Sequence, residues 1–434
     1  MRIKIYAALM LLLILTLLSV PFRANAAEKG RGSADGESYL RTSASIVMLQ
    51  GFHWESHMSK SWWKVMQGKT NEIFKAGIDM VWFPPSSRAA SDEGYLPNRL
   101  MCQDSMYGTA DELRKTISTF HSKGIKAIAD VVINHRVGSS DWADFTEPTW
   151  GPKAVCSDDE WAWAKGNPDT GCRFNAGRDI DHTQDFVRKS IIQWLKWLKS
   201  DIGYDGWRFD YAKGFSGEYV GKYNSATSPI FSVGEFWDDL DINNPDAHRQ
   251  QLCDWIDITK GKSAVFDFTT KGLLQRAVAT GEYWRMRDRE GKPAGLIGWW
   301  PGRAATFIDN HDTGPSTGGQ GGQNHWPFPS GKVMQGYAYT LTHPGTPNIY
   351  WVHLFDWGLY DNIRMLVALR KKCGINSESK VDIVDARQGL YAAIIDKKVA
   401  MKMGPESWSP GDGWKIGASG NDYAVWYRTS SKEE

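Results

Sequence analysis

Short apolar runs alternate with amphipathic stretches along most of the chain. Ile46–Phe52 (IVMLQGF) reads as a buried strand, and Ser61–Ala76 follows with helical periodicity, Gly77 suiting its C-terminal cap. Met80–Pro84 is the next apolar run. Thr109-Ala110-Asp111-Glu112 has the form of a capping box, and the helix it opens puts Leu113, Ile117 and Phe120 on one face before Gly124 stops it. Lys126–Asn134 (KAIADVVIN) reads as a third strand. Phe186–Ser200 carries Val187, Ile191, Trp194, Leu195 and Leu198 on one stripe, the spacing of an amphipathic helix. Further strands are expected at Gly206–Tyr211, Phe231–Trp237, Ser263–Thr269, Ala305–His311 and Pro347–His353. Strands that alternate with helices pair in parallel through helical crossovers. Eight such units predict an α/β fold of the (β/α)8 TIM-barrel type. A doubly wound open sheet is the rival, and no G-x-G-x-x-G follows any strand, which counts against a dinucleotide-binding version.

Two segments break the alternation. Arg136 to about Arg178, after the third strand, is rich in Gly, Pro, Asp and Trp, and a connection this long is normally a functional excursion. After Gly374, Val381–Ile394 and Lys397–Met403 alternate polar and apolar positions, and Tyr423–Tyr427 is a short apolar strand. That predicts a small antiparallel β domain. The expected organisation is a barrel over 27–135 and 180–374, an insertion over 136–179 and a C-terminal sheet domain over 375–434. Residues 1–26 stand apart. A basic start at Arg2 and Lys4, an apolar run Ile5–Val20 and an Ala24-Asn25-Ala26 cleavage pattern predict a secretory signal peptide. The run is shorter than the roughly 20 apolar residues that a bilayer span prefers. Export to a periplasm or the extracellular space is expected, with no membrane attachment after cleavage. An export signal also implies an oxidising compartment. The five cysteines, Cys102, Cys156, Cys172, Cys253 and Cys373, leave at least one unpaired within the chain, and Cys156 and Cys172 are a candidate staple for one loop-like segment.

Composition narrows the function. With 41% hydrophobic and 23% charged residues, the 434-residue chain is not largely disordered. The 51 Lys and Arg balance 50 Asp and Glu, so no basic surface points to a nucleic-acid partner. The 22 tryptophans are unusual. An indole offers a flat apolar face and one N–H donor, which suits the C–H faces and hydroxyl edges of sugar rings as well as it suits a core.

Candidate chemistry gathers at strand ends, where barrel enzymes place it. Polar groups there are costly unless used, because such strands are buried on both faces. The third strand ends Asp130-Val131-Val132-Ile133-Asn134-His135 and the fourth carries Gly206-Trp207-Arg208-Phe209-Asp210. The fifth carries Gly234-Glu235-Phe236-Trp237, and the seventh ends Phe307-Ile308-Asp309-Asn310-His311-Asp312. Alternation puts Arg208 and Asp210 on one side, where a guanidinium favours the ionised acid and suits a nucleophile. Glu235 precedes Phe236 and Trp237, apolar neighbours that raise a carboxyl pKa and suit a proton donor. Two carboxyls with separated pKa values are what glycoside hydrolysis needs. Asp312 is a third acid, beside His311.

The motifs DVVINH, GWRFDYAKG, GEFW and FIDNHD, in that order, resemble the four short signature regions of the α-amylase family of glycoside hydrolases. The resemblance runs from about Ile46 to Tyr427. GFHWES, GYLPNRL, NPDTG, DIDH, WPFP, VMQGYAYTLTHPG, FDWGL and GNDYAVW look like plant-type members. It implies roles. Asp210 would be the nucleophile, Glu235 the general acid and base, and Asp312 the transition-state stabiliser. Arg208 would hold Asp210 charged, and His135 and His311 would bind hydroxyls of the glucose being cleaved. Tyr95 would stack on that ring, Trp54 would face the cleft, and Lys213 and Trp237 would line the leaving-group side. As a retaining family it would set Asp210 and Glu235 about 5–5.5 Å apart.

The excursion after strand three would be that family's domain B, with a calcium site. Asn134, Asp169 and Asp179 would be side-chain ligands and Cys172 and Gly214 would supply carbonyls; oxygen-only ligation suits Ca²⁺. A zinc site using His182 with nearby cysteines is the rival reading. Trp299-Trp300 matches a tandem pair that serves plant enzymes as a surface starch platform, against a core-packing alternative. The implied partner is starch or another α-1,4-glucan, and the implied state is monomeric. Two features depart from the plant pattern. Gly314–Asn324 (GPSTGGQGGQN) is longer and glycine-rich, and Cys172 stands where a small residue is expected. The competing functions are a non-catalytic glucan-binding protein, a transglycosylase or exo-acting relative, and a metal-dependent hydrolase. No H-x-H or H-E-x-x-H occurs to support the last.

Overall fold

The computed structural model describes residues 45–316 and 321–428. The expected signal segment, 1–26, and residues 317–320 of the glycine-rich stretch lie outside them. Eight parallel strands close a barrel: β1 (Met48–Gln50), β2 (Met80–Trp82), β3 (Lys126–Val131), β4 (Gly206–Phe209), β5 (Ser232–Gly234), β6 (Ala264–Phe266), β7 (Ala304–Thr306) and β8 (Thr346–Tyr350). Each pairs with its chain neighbours, and β1 closes on β8 with Met48 opposite Asn348. The open-sheet alternative is thereby excluded.

The strands are shorter than their apolar runs. Beyond three to six residues the chain leaves the ladder, and the remaining apolar positions of each run line the core from turns. Asp267, inside the predicted strand Ser263–Thr269, instead caps the helix Phe268–Thr280 by accepting from the Thr270 N–H at 2.8 Å. The predicted helix over Ser61–Ala76 is two helices, Trp62–Gly68 and Thr70–Lys75. The Thr70 hydroxyl donates to the Gln67 carbonyl at 2.7 Å, a local bond that competes with the helical ladder at the break. The capping box at Thr109–Glu112 forms in both directions. The helix Asp185–Trp197 runs into a wider turn at Leu198–Ile202 and ends on Gly203, φ 103°.

In the excursion after β3, His135–Arg136 pairs antiparallel with Arg178–Asp179. Buried Arg136 donates to the carbonyls of Asn98, Thr146 and Pro148 and lies over the Trp150 ring at 4.6 Å. One charge thus organises the insertion from inside. The C-terminal sheet has five strands in the order β9 (Val381–Arg387), β10 (Leu390–Ile395), β11 (Val399–Met403), β13 (Tyr423–Tyr427), β12 (Lys415–Gly420). Buried Tyr391 in β10 ties it to the barrel by a 2.8 Å bond to His343 Nε2. All five cysteines are free, so the Cys156–Cys172 staple does not form; Cys156 is buried and Cys172 exposed. No helix among the described residues is long and apolar enough to cross a membrane.

Candidate active site

The acids stand where the strand ladders stop. Asp210 directly follows β4, and its N–H donates to the Val131 carbonyl at 3.1 Å. Glu235 directly follows β5, its N–H bound to the Phe209 carbonyl and its own carbonyl accepting from the Ala212 N–H, both at 2.9 Å. Gly234 before it admits no side chain, because a Cβ would lie 2.2 Å from the Trp255 ring. Asp312 sits in the loop after β7. There Asn310 Oδ1 accepts from the N–H groups of Asp312 and Thr313 at 3.0 and 2.8 Å, a side chain mimicking a backbone turn.

Arg208 is the electrostatic centre. It is 0% exposed. Its Nη1 donates to Asp130 Oδ1 at 2.8 Å and Asp210 Oδ1 at 2.7 Å, and its Nη2 lies 2.7 Å from Glu235 Oε1. A buried charge persists only when paired, and here one cation faces three carboxylates. The register explains it: Asp130 is the β3 partner of Arg208, and Asp210 lies two residues on, on the same side of the strand. Asp130 is a site residue that the sequence reading left without a role. Its Oδ2 accepts from Trp82 Nε1 at 3.0 Å and the Tyr95 hydroxyl at 2.9 Å, which pins the Tyr95 ring. The alternation along Lys126–Asn134 already aims it into the barrel.

Burial sets the protonation of the group. It pushes the Glu235 carboxyl above its ordinary range, with Arg208 opposing and the Asp210 charge adding. It pushes Asp312 well above the carboxylate range, with the charge of Glu235 adding. Asp130 is raised to about 7 by burial against the pull of Arg208. Burial also lowers His135 and takes His311 well below the usual imidazole range, so both rings favour the neutral form.

These acids open into a cleft of about 610 Å³ lined by Asp210, Glu235 and Asp312 together with Trp54, Tyr95, His135, Lys213, Trp237 and His311. Arg208 lies beneath it. Trp54, Tyr95 and His311 are near-parallel, Trp54 and Tyr95 at 4° and 6.0 Å and Tyr95 and His311 at 10° and 5.1 Å. Gln50 holds His311 by a 3.1 Å bond to Nδ1. His135 stacks on Phe174 at 3.8 Å and bonds the Tyr95 carbonyl through Nε2 at 2.7 Å. Trp237 stacks on Phe268 at 5.1 Å, and Lys213 Nζ lies 3.6 Å from Asp238. The cleft also takes in Tyr211, which the GWRFDYAKG motif contains but which had no assigned role, and Phe174, Gln323 and His325, which the strand-end motifs do not contain.

Asn134, Asp169, Cys172, Asp179 and Gly214 converge beside His135. Asn134 Nδ2 donates to Asp179 Oδ1 at 3.2 Å, and the Cys172 N–H donates to the Lys213 carbonyl at 2.9 Å. Gly214 packs so closely that a Cβ there would lie 2.1 Å from Asn134 Oδ1. Asp169 Oδ2 is buried with no hydrogen-bond partner. Burial and the Asp169 charge raise Asp179, burial leading, to about 7. A buried carboxylate oxygen with no hydrogen-bond partner, close enough to a second acid to raise it, fits a hard cation. Among the described residues no three or more His, Cys, Asp or Glu side chains form a metal cage, so the remaining donors are the amide and carbonyls. His182 cannot anchor zinc here, because its Nδ1 meets the Tyr223 hydroxyl at 2.6 Å and its Nε2 the Ile133 carbonyl at 3.1 Å. Trp299 and Trp300 are half-buried outside the cleft, and the Arg249 guanidinium covers one Trp299 face at 3.9 Å.

An acid cluster at the carboxyl ends of a closed parallel barrel, open to a cleft of about 610 Å³, stands where barrel enzymes place their chemistry. A family model described as the alpha amylase catalytic domain matches residues 66–250, and one described as the alpha-amylase C-terminal beta-sheet domain matches residues 372–427. The chain is 45% identical over 398 residues to "Probable alpha-amylase 2" of Arabidopsis thaliana, covering 88% of this chain and 94% of that protein. It is 45% identical over 395 residues to the same plant's "Alpha-amylase 3, chloroplastic", covering 88% of this chain but 44% of that longer protein. The solved structure of an α-amylase from Geobacillus thermoleovorans in complex with acarbose matches with a TM-score of 0.65 at 16% identity, covering 90% of this chain and 99% of that one. That last likeness speaks to the fold. The chain belongs to the α-amylase family of enzymes.

Proposed function

We propose that the protein is a secreted, monomeric, calcium-dependent α-amylase that cleaves internal α-1,4-glucosidic bonds of starch, glycogen and maltooligosaccharides with retention of configuration. The observation that carries this reading is the Arg208 hub, which gathers Asp210 and Glu235, the latter raised by burial, at the base of an aromatic-walled cleft. One guanidinium spanning both carboxylates favours the short separation of about 5–5.5 Å used for direct attack over the wider gap that admits a water.

In the first step Glu235 protonates the glycosidic oxygen, Asp210 attacks the anomeric carbon, and the glycosidic C–O bond breaks. In the second, Glu235 takes a proton from water, which attacks the same carbon and releases Asp210. Arg208 supplies the counter-charge for Asp210. Asp312, held by the Asn310 turn, hydrogen-bonds ring hydroxyls of the distorted sugar. Neutral His311 binds a further hydroxyl, His135 borders the same sugar with its Nε2 held by the Tyr95 carbonyl, Tyr95 and Trp54 offer stacking faces, and Lys213 and Trp237 border the leaving group. The insertion over 136–179 acts as domain B. Asn134, Asp169, Asp179 and the carbonyls of Cys172 and Gly214 would hold Ca²⁺, which supplies a cross-link between that domain and the barrel. Trp299 and Trp300 would serve as a surface glucan platform through the faces Arg249 leaves open.

Asp210→Asn and Glu235→Gln each lower reducing-sugar release from soluble starch by at least about 10²–10⁴-fold. Activity near wild type in either variant contradicts the assignment.

A further inference from the structure

Gly322, near the end of the glycine-rich stretch after Asp312, is tied to the turn that follows β1. Glu55, in the turn Trp54–Met58 after β1, accepts from the Gly322 N–H through Oε1 at 2.6 Å, across 267 residues of chain. Its Oε2 lies 3.7 Å from His53 Nδ1. The backbone that presents Gly322 requires glycine twice: Gly321 and Gly322 have φ 74° and 77°. A Cβ at 321 would lie 2.8 Å from Glu55 Oε1, and one at 322 would lie 2.8 Å from the Ser316 nitrogen.

What the clasp holds is the next few residues. Gln323 and His325 turn into the cleft. The His325 N–H donates to the Asp312 carbonyl at 2.9 Å, and its ring lies 6.5 Å from that of Trp237. Trp237 is two residues past Glu235, and the group that protonates the glycosidic oxygen marks the leaving side of the bond. On the hydrolase reading the rim therefore borders the side from which the sugar leaves.

We propose that Glu55 is a positioning residue whose clasp on Gly322 holds the 321–325 rim so that Gln323 and His325 hydrogen-bond the first glucose on the leaving side. The proposal rests on the hydrolase reading above. Its test compares maltoheptaose with an aryl α-maltotrioside, whose aryl leaving group places no glucose on that side. Glu55→Ala raises KM for maltoheptaose about five- to tenfold, the scale of one lost hydrogen bond, while kcat/KM for the aryl substrate stays within about twofold. Glu55→Gln, whose amide oxygen can still accept from the Gly322 N–H, restores the KM. His325→Ala shows the same substrate selectivity, and the double variant with Glu55→Ala adds little, as coupled residues do. Equal losses on both substrates, an unchanged maltoheptaose KM, or full additivity of the double variant overturns the proposal. A wild-type protein inert on both substrates overturns the hydrolase reading itself, a different and recognisable outcome.

Discussion

Arg208 and Asp130 are both shut off from water, so neither has the screened environment in which charge pairs contribute little. Asp130 and Asp210 share one guanidinium nitrogen, Nη1, and Glu235 meets the other, Nη2, and that sharing gives the site its asymmetry. Glu235 is raised by burial, and on the proposed mechanism its protonated form is the one that donates to the leaving oxygen. Raising its pKa extends the protonated form to higher pH. The alkaline limb of the kcat/KM profile therefore falls above the ordinary Glu value of about 4.3. A pH–rate profile on a soluble maltooligosaccharide checks this, and a limb at the ordinary value contradicts it. Asp312 lies near enough to share in that titration, so the limb belongs to the coupled group.

At the scale of elements, the loop after β7 is held by a buried ion pair. Lys271, in the helix Phe268–Thr280, lies 3.6 Å from Asp309, and both are 0% exposed. Asp309 Oδ1 accepts from the Thr313 hydroxyl at 3.0 Å and the Phe328 N–H at 3.1 Å, while Lys271 Nζ donates to the Trp326 carbonyl at 2.9 Å. The pair thus anchors both ends of the segment that carries His311, Asp312 and His325. Lys271→Met leaves a buried carboxylate unpaired and lowers unfolding free energy by about 3–5 kcal/mol in urea titration. A change under about 1 kcal/mol contradicts that role. The same elements show what the sequence could convey. Periodicity located every barrel strand and both capping signals, because burial on two faces leaves long apolar runs. It overstated strand lengths, since the apolar residues past each ladder serve the core from turns. It merged β9 and β10, because Gln388-Gly389 is a single tight turn inside a continuous alternation. It missed β12, whose residues are mostly exposed and carry no apolar stripe. At the site, polar residues crowded at strand ends announced Asp210, Glu235 and Asp312. Asp130 stayed silent, because its partners Tyr95 and Trp82 come from other segments and only the fold brings them together.

Across the whole molecule, the insertion over 136–179 forms one wall of the cleft through Phe174 and Ala176, and it meets the barrel at the Asn134–Asp179 contact. On the proposed reading a cation at that junction neutralises Asp169 and Asp179. Added calcium is then expected to stabilise the folded protein, by about 2.7 kcal/mol at one hundred times its dissociation constant, and a chelator to reverse the gain. Magnesium, which demands tighter octahedral geometry, does less. Calorimetric melting with chelator, calcium or magnesium decides the point, and identical melting curves contradict it.

On the proposed mechanism Asp210 attacks the anomeric carbon while Glu235 manages the proton. A 5-fluoro α-glucosyl fluoride can trap that attack, because its electron-withdrawing fluorine slows release of the glycosyl–enzyme intermediate. After incubation and peptic digestion, mass spectrometry finds one glycosyl adduct, on the peptide containing Asp210, and finds none in Asp210→Asn. An adduct on Glu235 or Asp312, or turnover of starch with no adduct on any carboxylate, contradicts the account.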